Sequence, residues 1–384
     1  MYKIITIKIS ISNILFAYVI FVFCLSCQNN PKINNKITET IQNKYSNNFE
    51  IKTIEPGYLL KVKNRFGNGE NKTNNYFLYK TGTPNSEFQS IKIPVRSIIA
   101  LSTTHCAFIS TLGKIETIKG ISGTNYVYHK KIREKIEQGE ILEVGYEKQI
   151  NYERIISLNP DIVFAYAVDN NSIAVYQKLI DIGIPIIYVG DFLETTPLGR
   201  SEWIKFFACF FDDLYLATTY FDSICQNYNK LTEKILQEKI NKPRVLVSLP
   251  WKGTWWIPGG NSFFANFISE AGGNYIYSNN NSSESVPHSI EEIFDSANDI
   301  DIWLNPNEYT TKSQICGTDQ RLTKFLPLKN SQIFNNNKRI SKTGGNDFWE
   351  SGIVHPDIIL NDLYTIFYNK NLKYSDLYYY QEVK

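Results

Sequence analysis

The 384 residues carry 40 basic against 38 acidic side chains, a net charge of +2, so nothing points to nucleic acid or another acidic polymer as partner. That length is ample for two lobes, each with its own core. The 25 Tyr, 23 Phe and 6 Trp exceed what packing usually asks for and point to an aromatic surface or cleft.

The N-terminus reads as an address. Lys3 and Lys8 precede an unbroken apolar run over residues 14–25, and Leu25-Ser26-Cys27 follows. The run falls short of the roughly 20 residues that span a bilayer. Ser26-Cys27 followed by Gln28-Asn29-Asn30 resembles a bacterial lipoprotein signal, which implies a signal peptide over 1–26 and lipid on Cys27. Leu25 stands two residues before the cysteine instead of the usual three, with Cys24 in the leucine place. A plain signal peptide and an uncleaved anchor are the other readings. Residues 27–50 are polar and Asn-rich, which predicts a flexible tether.

Residues 51–95 alternate, as in Tyr58-Leu59-Leu60-Lys61-Val62-Lys63 and Tyr76-Phe77-Leu78-Tyr79-Lys80. They predict a hairpin or small sheet laid against a first lobe. That lobe spans 96–195. It opens with a strand at 97–101, and Ser102 caps a helix running to Leu112. Buried strands follow at 161–167 and 184–189, with a helix over 172–182 between them. Residues 196–242 are helical. A short helix over 201–210 takes Ser201 as N-cap, and a long one runs over 213–241. Leu216, Ala217, Tyr220, Phe221, Ile224, Tyr228, Leu231 and Ile235 mark its apolar face. It would reach roughly 40 Å before Pro243 stops it. The second lobe, 243–384, opens with a strand at 244–249 and a helix capped by Asn261. Strands at 301–304 and 338–342 follow, then a closing helix over 353–368 with Pro356 in its first turn.

This alternation predicts an α/β fold: two Rossmann-like lobes with parallel sheets, joined by one long rigid helix, plus the small N-terminal β extension. A long helix inside one continuous α/β domain is the competing reading. A weak internal repeat favours two lobes. Asn151-Tyr152-Glu153-Arg154-Ile155 leads to Asp161-Ile162, and Ser289-Ile290-Glu291-Glu292-Ile293 leads to Asp299-Ile300, each Asp eight residues after the first Glu. Both read as a capped helix feeding a strand, although any two αβ units can look alike by chance.

With residues 96–113, 153–167, the long helix, 244–249 and the Glu291 helix, the chain resembles the substrate-binding proteins of ABC importers for cobalamin and iron complexes. These have the class III, helical-backbone periplasmic-binding fold, and the resemblance covers roughly residues 93–367. It implies a ligand held between the lobes and modest closure, because a helix resists bending. It also implies that Glu153 and Glu291 pair with arginines of a permease dimer, with Glu292 as the alternative to Glu291. Either position suits a helix N-terminus on electrostatic grounds alone. The implied protein is a monomeric receptor of the cell envelope, lipid-anchored through Cys27 on a periplasmic or outer-surface face. It captures an iron-siderophore, corrinoid or haem for an importer, or scavenges the same ligands without one. No resident cofactor is implied.

Ligand contacts are expected on loops that follow strands. Trp251, Trp255 and Trp256 fall within six residues after the first strand of the second lobe. They read as a wall for a large planar or apolar ligand, or else as a cover for the sheet edge. Phe348 and Trp349 precede the last helix and face the cleft in the family. Tyr146 sits where cobalamin-binding members carry an aromatic contact. His105, Tyr166 and Arg200 are further candidates, His105 also reading as a capping-loop residue. Lys252 and Lys342 are the basic groups an anionic siderophore would want. The four His (105, 129, 288, 355) are scattered, so no dedicated Zn²⁺ or Mn²⁺ site is expected. Cys209 and Cys225 read as small buried hydrophobes, and no CxxC links them to Cys106 or Cys316. No G-x-S-x-G, P-loop or HExxH is present, and nothing in the spacing of Asp347, Glu350 and His355 marks an acid–base set. No enzyme is expected.

Overall fold

The computed structural model describes residues 37–65, 71–146, 149–166, 170–238, 241–369 and 371–384. The signal-peptide and lipidation readings at Cys27 lie outside them.

Two separate sheets carry the architecture. The first runs Ile186–Tyr188, Ile162–Ala165, Ile98–Ala100, Ile118–Ile121, Leu142–Glu143, all parallel. The second runs Asn274–Tyr275, Arg244–Val247, Ile302–Leu304, Gln332–Asn335, Gln381–Glu382, parallel except for the last pair. Ile162–Ala165, Ile98–Ala100 and Ile302–Leu304 are buried at every residue. They therefore read as solid apolar runs, since both faces of a parallel sheet are covered. In each sheet the order reverses beside its first strand, at Ile98–Ala100 against Ile162–Ala165 and at Arg244–Val247 against Ile302–Leu304. Such a reversal opens a crevice at the carboxyl ends of the strands.

The helix expected at 213–241 is Leu214–Gln237, 24 residues or about 36 Å. It buries Ala217, Phe221, Ile224, Cys225, Tyr228 and Ile235 against Ile204–Cys209 and the closing helix Pro356–Tyr368. Leu216 is half exposed and lies off that face. The single helix expected over 201–210 is instead two, Pro197–Ser201 and Ile204–Cys209. Pro197 is preset for a first turn, and Thr196 caps it by accepting the Gly199 amide at 3.1 Å, so Ser201 is buried, not the cap. Similarly Ser262, one residue after Asn261, caps Phe263–Glu270. The strand expected at 338–342 does not form. The fourth strand is Gln332–Asn335, whose short apolar core Ile333-Phe334 sits in an Asn-rich context that masks it.

The repeat is real in geometry. Tyr152–Leu158 and Ile290–Ser296 are both seven-residue helices. Asn151 accepts the Arg154 amide at 2.9 Å and Ser289 the Glu292 amide at 3.2 Å. Asp161 then takes the amides of Arg96 and Ser97 (2.6 and 2.9 Å), tying its strand to the first strand of the sheet. In the second lobe that bond is made by Asp301 to Arg244 at 2.8 Å. The Asp299 match is therefore two residues out of register, and Asp299 pairs with the Arg244 side chain instead.

The N-terminal extension is a five-stranded sheet: Ile37–Ile41, Phe49–Ile54, Gly57–Arg65, Asn71–Tyr79 and Gln89–Lys92. It abuts the first parallel sheet where the Tyr76 hydroxyl accepts the Tyr188 amide at 2.8 Å. Phe49 packs its ring 4.8 Å from Trp203. The tether reading of 27–50 is thus overturned over 37–50. Glu202, fully buried, accepts the amides of Lys44, Tyr45 and Ser46 at 2.9, 2.8 and 2.9 Å, and the ammonium of buried Lys205 at 2.7 Å. Backbone amides do the binding there, so a polar composition does not reveal it.

Candidate functional site

The strand ends meet at one cleft. Leu101-Ser102, Ser122 and Tyr166 follow strands of the first sheet, and Ser248, Asn305 and Asn336 follow strands of the second. They line two adjoining cavities, about 240 Å³ on the first lobe and about 780 Å³ on the second, which share Gly344, Asn346 and Trp349. Together they suit a small-molecule ligand.

A strap over residues 341–350 passes from the second lobe onto the first. Thr343 donates to the Asn125 carbonyl at 2.8 Å. A Cβ on Gly345 would come within 2.6 Å of the Tyr126 and Val127 carbonyls, so only glycine fits. Buried Glu350 accepts the amides of Tyr128 (2.6 Å) and His129 (2.9 Å), and burial pushes its carboxyl up to about 7. Arg339 holds Asp347 at 2.6 Å. This ordering presents half-exposed Trp349 at the boundary of the lobes, edge-on to Phe264 and Phe348.

Among the expected contacts, Tyr146, Tyr166, Trp256 and Trp349 are brought together here. Tyr146 lies 5.2 Å from Tyr126, ring to ring, and Tyr166 packs edge-on against Phe192. Tyr126 and Phe264 join them without having been singled out in the sequence; the position of each beside a strand end or the strap is visible only in the fold. The remaining lining is mostly Ser, Asn and Thr. Among the described residues it holds no Lys or Arg, and its one acid is Glu308.

Five expected contacts lie elsewhere. The Trp251–Trp256 stretch is a tight turn leading into a strand, not an open loop: Trp251 pairs with Thr254, and Thr254–Pro258 pairs with Ser285–Ser289 from farther along the chain. The two-residue period of a strand sends Trp256 outward, 48% exposed, and Trp255 inward, 0% exposed. The Trp255 indole donates to the Val247 carbonyl (3.2 Å) and Ser248 hydroxyl (3.1 Å) and packs 5.7 Å from Trp303. Trp251 sits at the tip of that turn, 62% exposed, and lines neither cavity. Phe348 is core, among Phe264, Tyr379 and Tyr380. His105 is fully buried between Phe164 and Phe207, and desolvation lowers its pKa to about 3, so the imidazole is neutral. Arg200 is engaged by the Glu194 and Phe192 carbonyls (both 3.1 Å) and lies 3.9 Å over the Phe263 ring. It borders a different cavity, beside Lys61 and Lys63 of the N-terminal sheet.

Glu153 and Glu291 are the second residues of their matching helices, and both are exposed. Glu291 accepts from Arg321 at 2.8 Å, and Arg321 is also held by Asp319 at 2.7 Å. Glu292 is occupied by the capping box with Ser289. Among the described residues Glu153 has no ion pair. Asp347, Glu350 and His355 point to three different partners: Arg339, the 128–129 amides and the Tyr220 hydroxyl. The four described cysteines are free thiols. No cluster of three or more His, Cys, Asp or Glu able to hold a metal occurs among the described residues. No described helix is long and apolar enough to cross a membrane.

Two parallel-sheet lobes, a helical backbone and a cleft at facing strand ends define a two-lobed receptor for a small molecule. The sequence model described as periplasmic binding protein matches residues 98–335, more than half the chain, and the protein belongs to that family. This is the substrate-binding family of cobalamin and iron-complex importers. The sheet built from Ile37 to Lys92 lies outside the match. An uncharacterised lipoprotein of Methanocaldococcus jannaschii is 28% identical over 296 residues, covering 74% of this chain and 68% of its own length. Among solved structures, a periplasmic haem-binding protein from Pseudomonas aeruginosa superposes with TM-score 0.54 at 13% identity, covering 76% of this chain and 98% of its own. The periplasmic vitamin B12-binding protein of Vibrio cholerae does so with TM-score 0.50 at 15% identity, covering 71% and 96%. At these identities the likeness is one of fold.

Proposed function

We propose that this protein is an envelope receptor, lipid-anchored through Cys27, that captures a metal–organic complex and delivers it to an ABC importer, with no chemistry of its own. One observation carries the choice of cargo. The cleft is walled by Tyr126, Tyr146, Tyr166, Trp256, Phe264 and Trp349 and lined with amides and hydroxyls, without a Lys or Arg among the described residues. Aromatic faces favour a broad, flat ligand. The carboxylates of haem or of a polycarboxylate siderophore would ask for basic partners that the lining lacks. A corrinoid or a neutral iron chelate fits better. Glu153 and Glu291 supply the docking contacts to the permease, a role supported by their equivalent positions on equivalent helices.

The test is titration of the purified protein with cyanocobalamin and with haemin, followed by tryptophan fluorescence. Cyanocobalamin should bind, and Trp349→Ala should weaken it at least about tenfold, the order expected for a buried aromatic contact. Tighter binding of haemin, or a Trp349→Ala protein with undiminished affinity, would overturn the assignment of the cleft.

A further inference from the structure

The turn that carries Trp251 sits at one end of the two-stranded ribbon of Thr254–Pro258 and Ser285–Ser289. The ribbon's Pro258–Ser285 end borders the second cavity, and the strands pair through Trp256↔Pro287 to Thr254↔Ser289. At about 3.4 Å per residue Thr254, at the tip, lies roughly 7 Å along the strand from Trp256 on the cavity wall. Ser289 is the N-cap of the Glu291 helix. The tip turns back on itself through paired bonds between Trp251 and Thr254 (2.8 and 3.1 Å). A Cβ on Gly253 would stand 4.0 Å from Arg321, whose other terminal nitrogen holds Glu291 at 2.8 Å. The turn, whose exposed indole carries the Lys252 ammonium 4.4 Å over its ring, therefore lies beside the guanidinium that holds Glu291.

The first lobe repeats the arrangement with different parts. Ile156 stands three residues after Glu153 on Tyr152–Leu158, which puts both on one helix face. Its side chain is 51% exposed. The segment around each of the two equivalent carboxylates thus carries a large exposed apolar side chain, although the lobes supply it from unrelated elements. A carboxylate next to an exposed indole or aliphatic group suits a partner surface that sets a basic side chain beside apolar ones.

We infer that Trp251 and Ile156 are the apolar anchors of the face that docks on the membrane-embedded permease, and that Arg321 holds Glu291 in place until a permease cation replaces it. This rests on the docking role proposed for Glu153 and Glu291, and reassigns Trp251 from ligand wall to partner surface. The partner is a protein that offers, twice over, a basic residue flanked by apolar ones. Bare lipid is a different occupant.

The full chain, expressed in its native host with p-benzoylphenylalanine at position 251 or 156, should photocross-link in intact membranes. Both positions should capture the same transmembrane subunit of an ABC importer, identified by mass spectrometry, and Glu153→Ala/Glu291→Ala should abolish capture. Adducts with lipid alone, or none at either position, would overturn the inference. Purified Trp251→Ala protein should bind cyanocobalamin within about twofold of the parent, while Trp251→Ala/Ile156→Ser should lower uptake of radiolabelled cyanocobalamin about tenfold. A tenfold loss of affinity in Trp251→Ala would return that residue to the ligand site and refute the reassignment. If the carboxylate variant loses uptake but the apolar variant keeps it, the anchors are wrong and the carboxylate role stands. If the carboxylate variant takes up cobalamin normally, the carboxylate role itself fails.

Discussion

Trp255 and Trp256 are neighbours in sequence with opposite surroundings, so replacing each by alanine separates packing from binding. Trp255 is fully enclosed against Trp303 and Phe325, and its indole N–H is shared by the Val247 carbonyl and the Ser248 hydroxyl. Emptying that space costs about 3–5 kcal/mol for a buried aromatic. The stranded acceptors add about 1 kcal/mol. Trp255→Phe keeps most of the ring packing and should lose only about 1–2 kcal/mol. Trp256 is half exposed on the cleft side of the same strand, so Trp256→Ala should change stability by less than about 1 kcal/mol while weakening cyanocobalamin binding. Urea unfolding followed by far-UV circular dichroism reads the first effect. With a slope of about 3 kcal/mol per molar, the Trp255→Ala midpoint should fall by more than about 1 M. A Trp255→Ala protein that unfolds with the parent yet binds ligand poorly would place the indole on the cleft instead of in the core.

Two further expectations concern buried carboxylates. Glu202→Gln leaves Lys205 buried without its counter-charge and turns an amide N–H₂ toward the donors of 44–46. It should cost about 3–5 kcal/mol and speed hydrogen exchange at the Lys44, Tyr45 and Ser46 amides; unchanged protection there would show that this anchor is unimportant. Glu350 is lifted by burial from 4.5 to about 7, so the folded state holds its proton more tightly than the unfolded chain does. That contribution is complete below about pH 4.5 and is lost as the pH rises to about 7. Glu350→Gln, which stays neutral, should flatten the decline in urea midpoint across this window, and a decline as steep as the parent's would rule the group out.

Much of the fold was legible because burial on both faces leaves solid apolar runs, as in Ile162–Ala165, and because Ser102, Asn151 and Ser289 mark helix starts by local chemistry. The docking of residues 37–50 was not legible, since Glu202 grips backbone amides that any sequence would offer. Gln332–Asn335 was missed because its strand signal is two residues long.

By itself, then, the chain's order of residues determined the alternation of strands and helices, the caps at Ser102, Asn151 and Ser289, the long helix and the equivalent placing of Glu153 and Glu291, all set by contacts within a few residues. Tertiary structure alone decided which aromatic rings reach the cleft. A strand's two faces differ only in what lies opposite them, so Trp255 became core and Trp256 cleft wall once Thr254–Pro258 paired with Ser285–Ser289 and packed onto the second sheet.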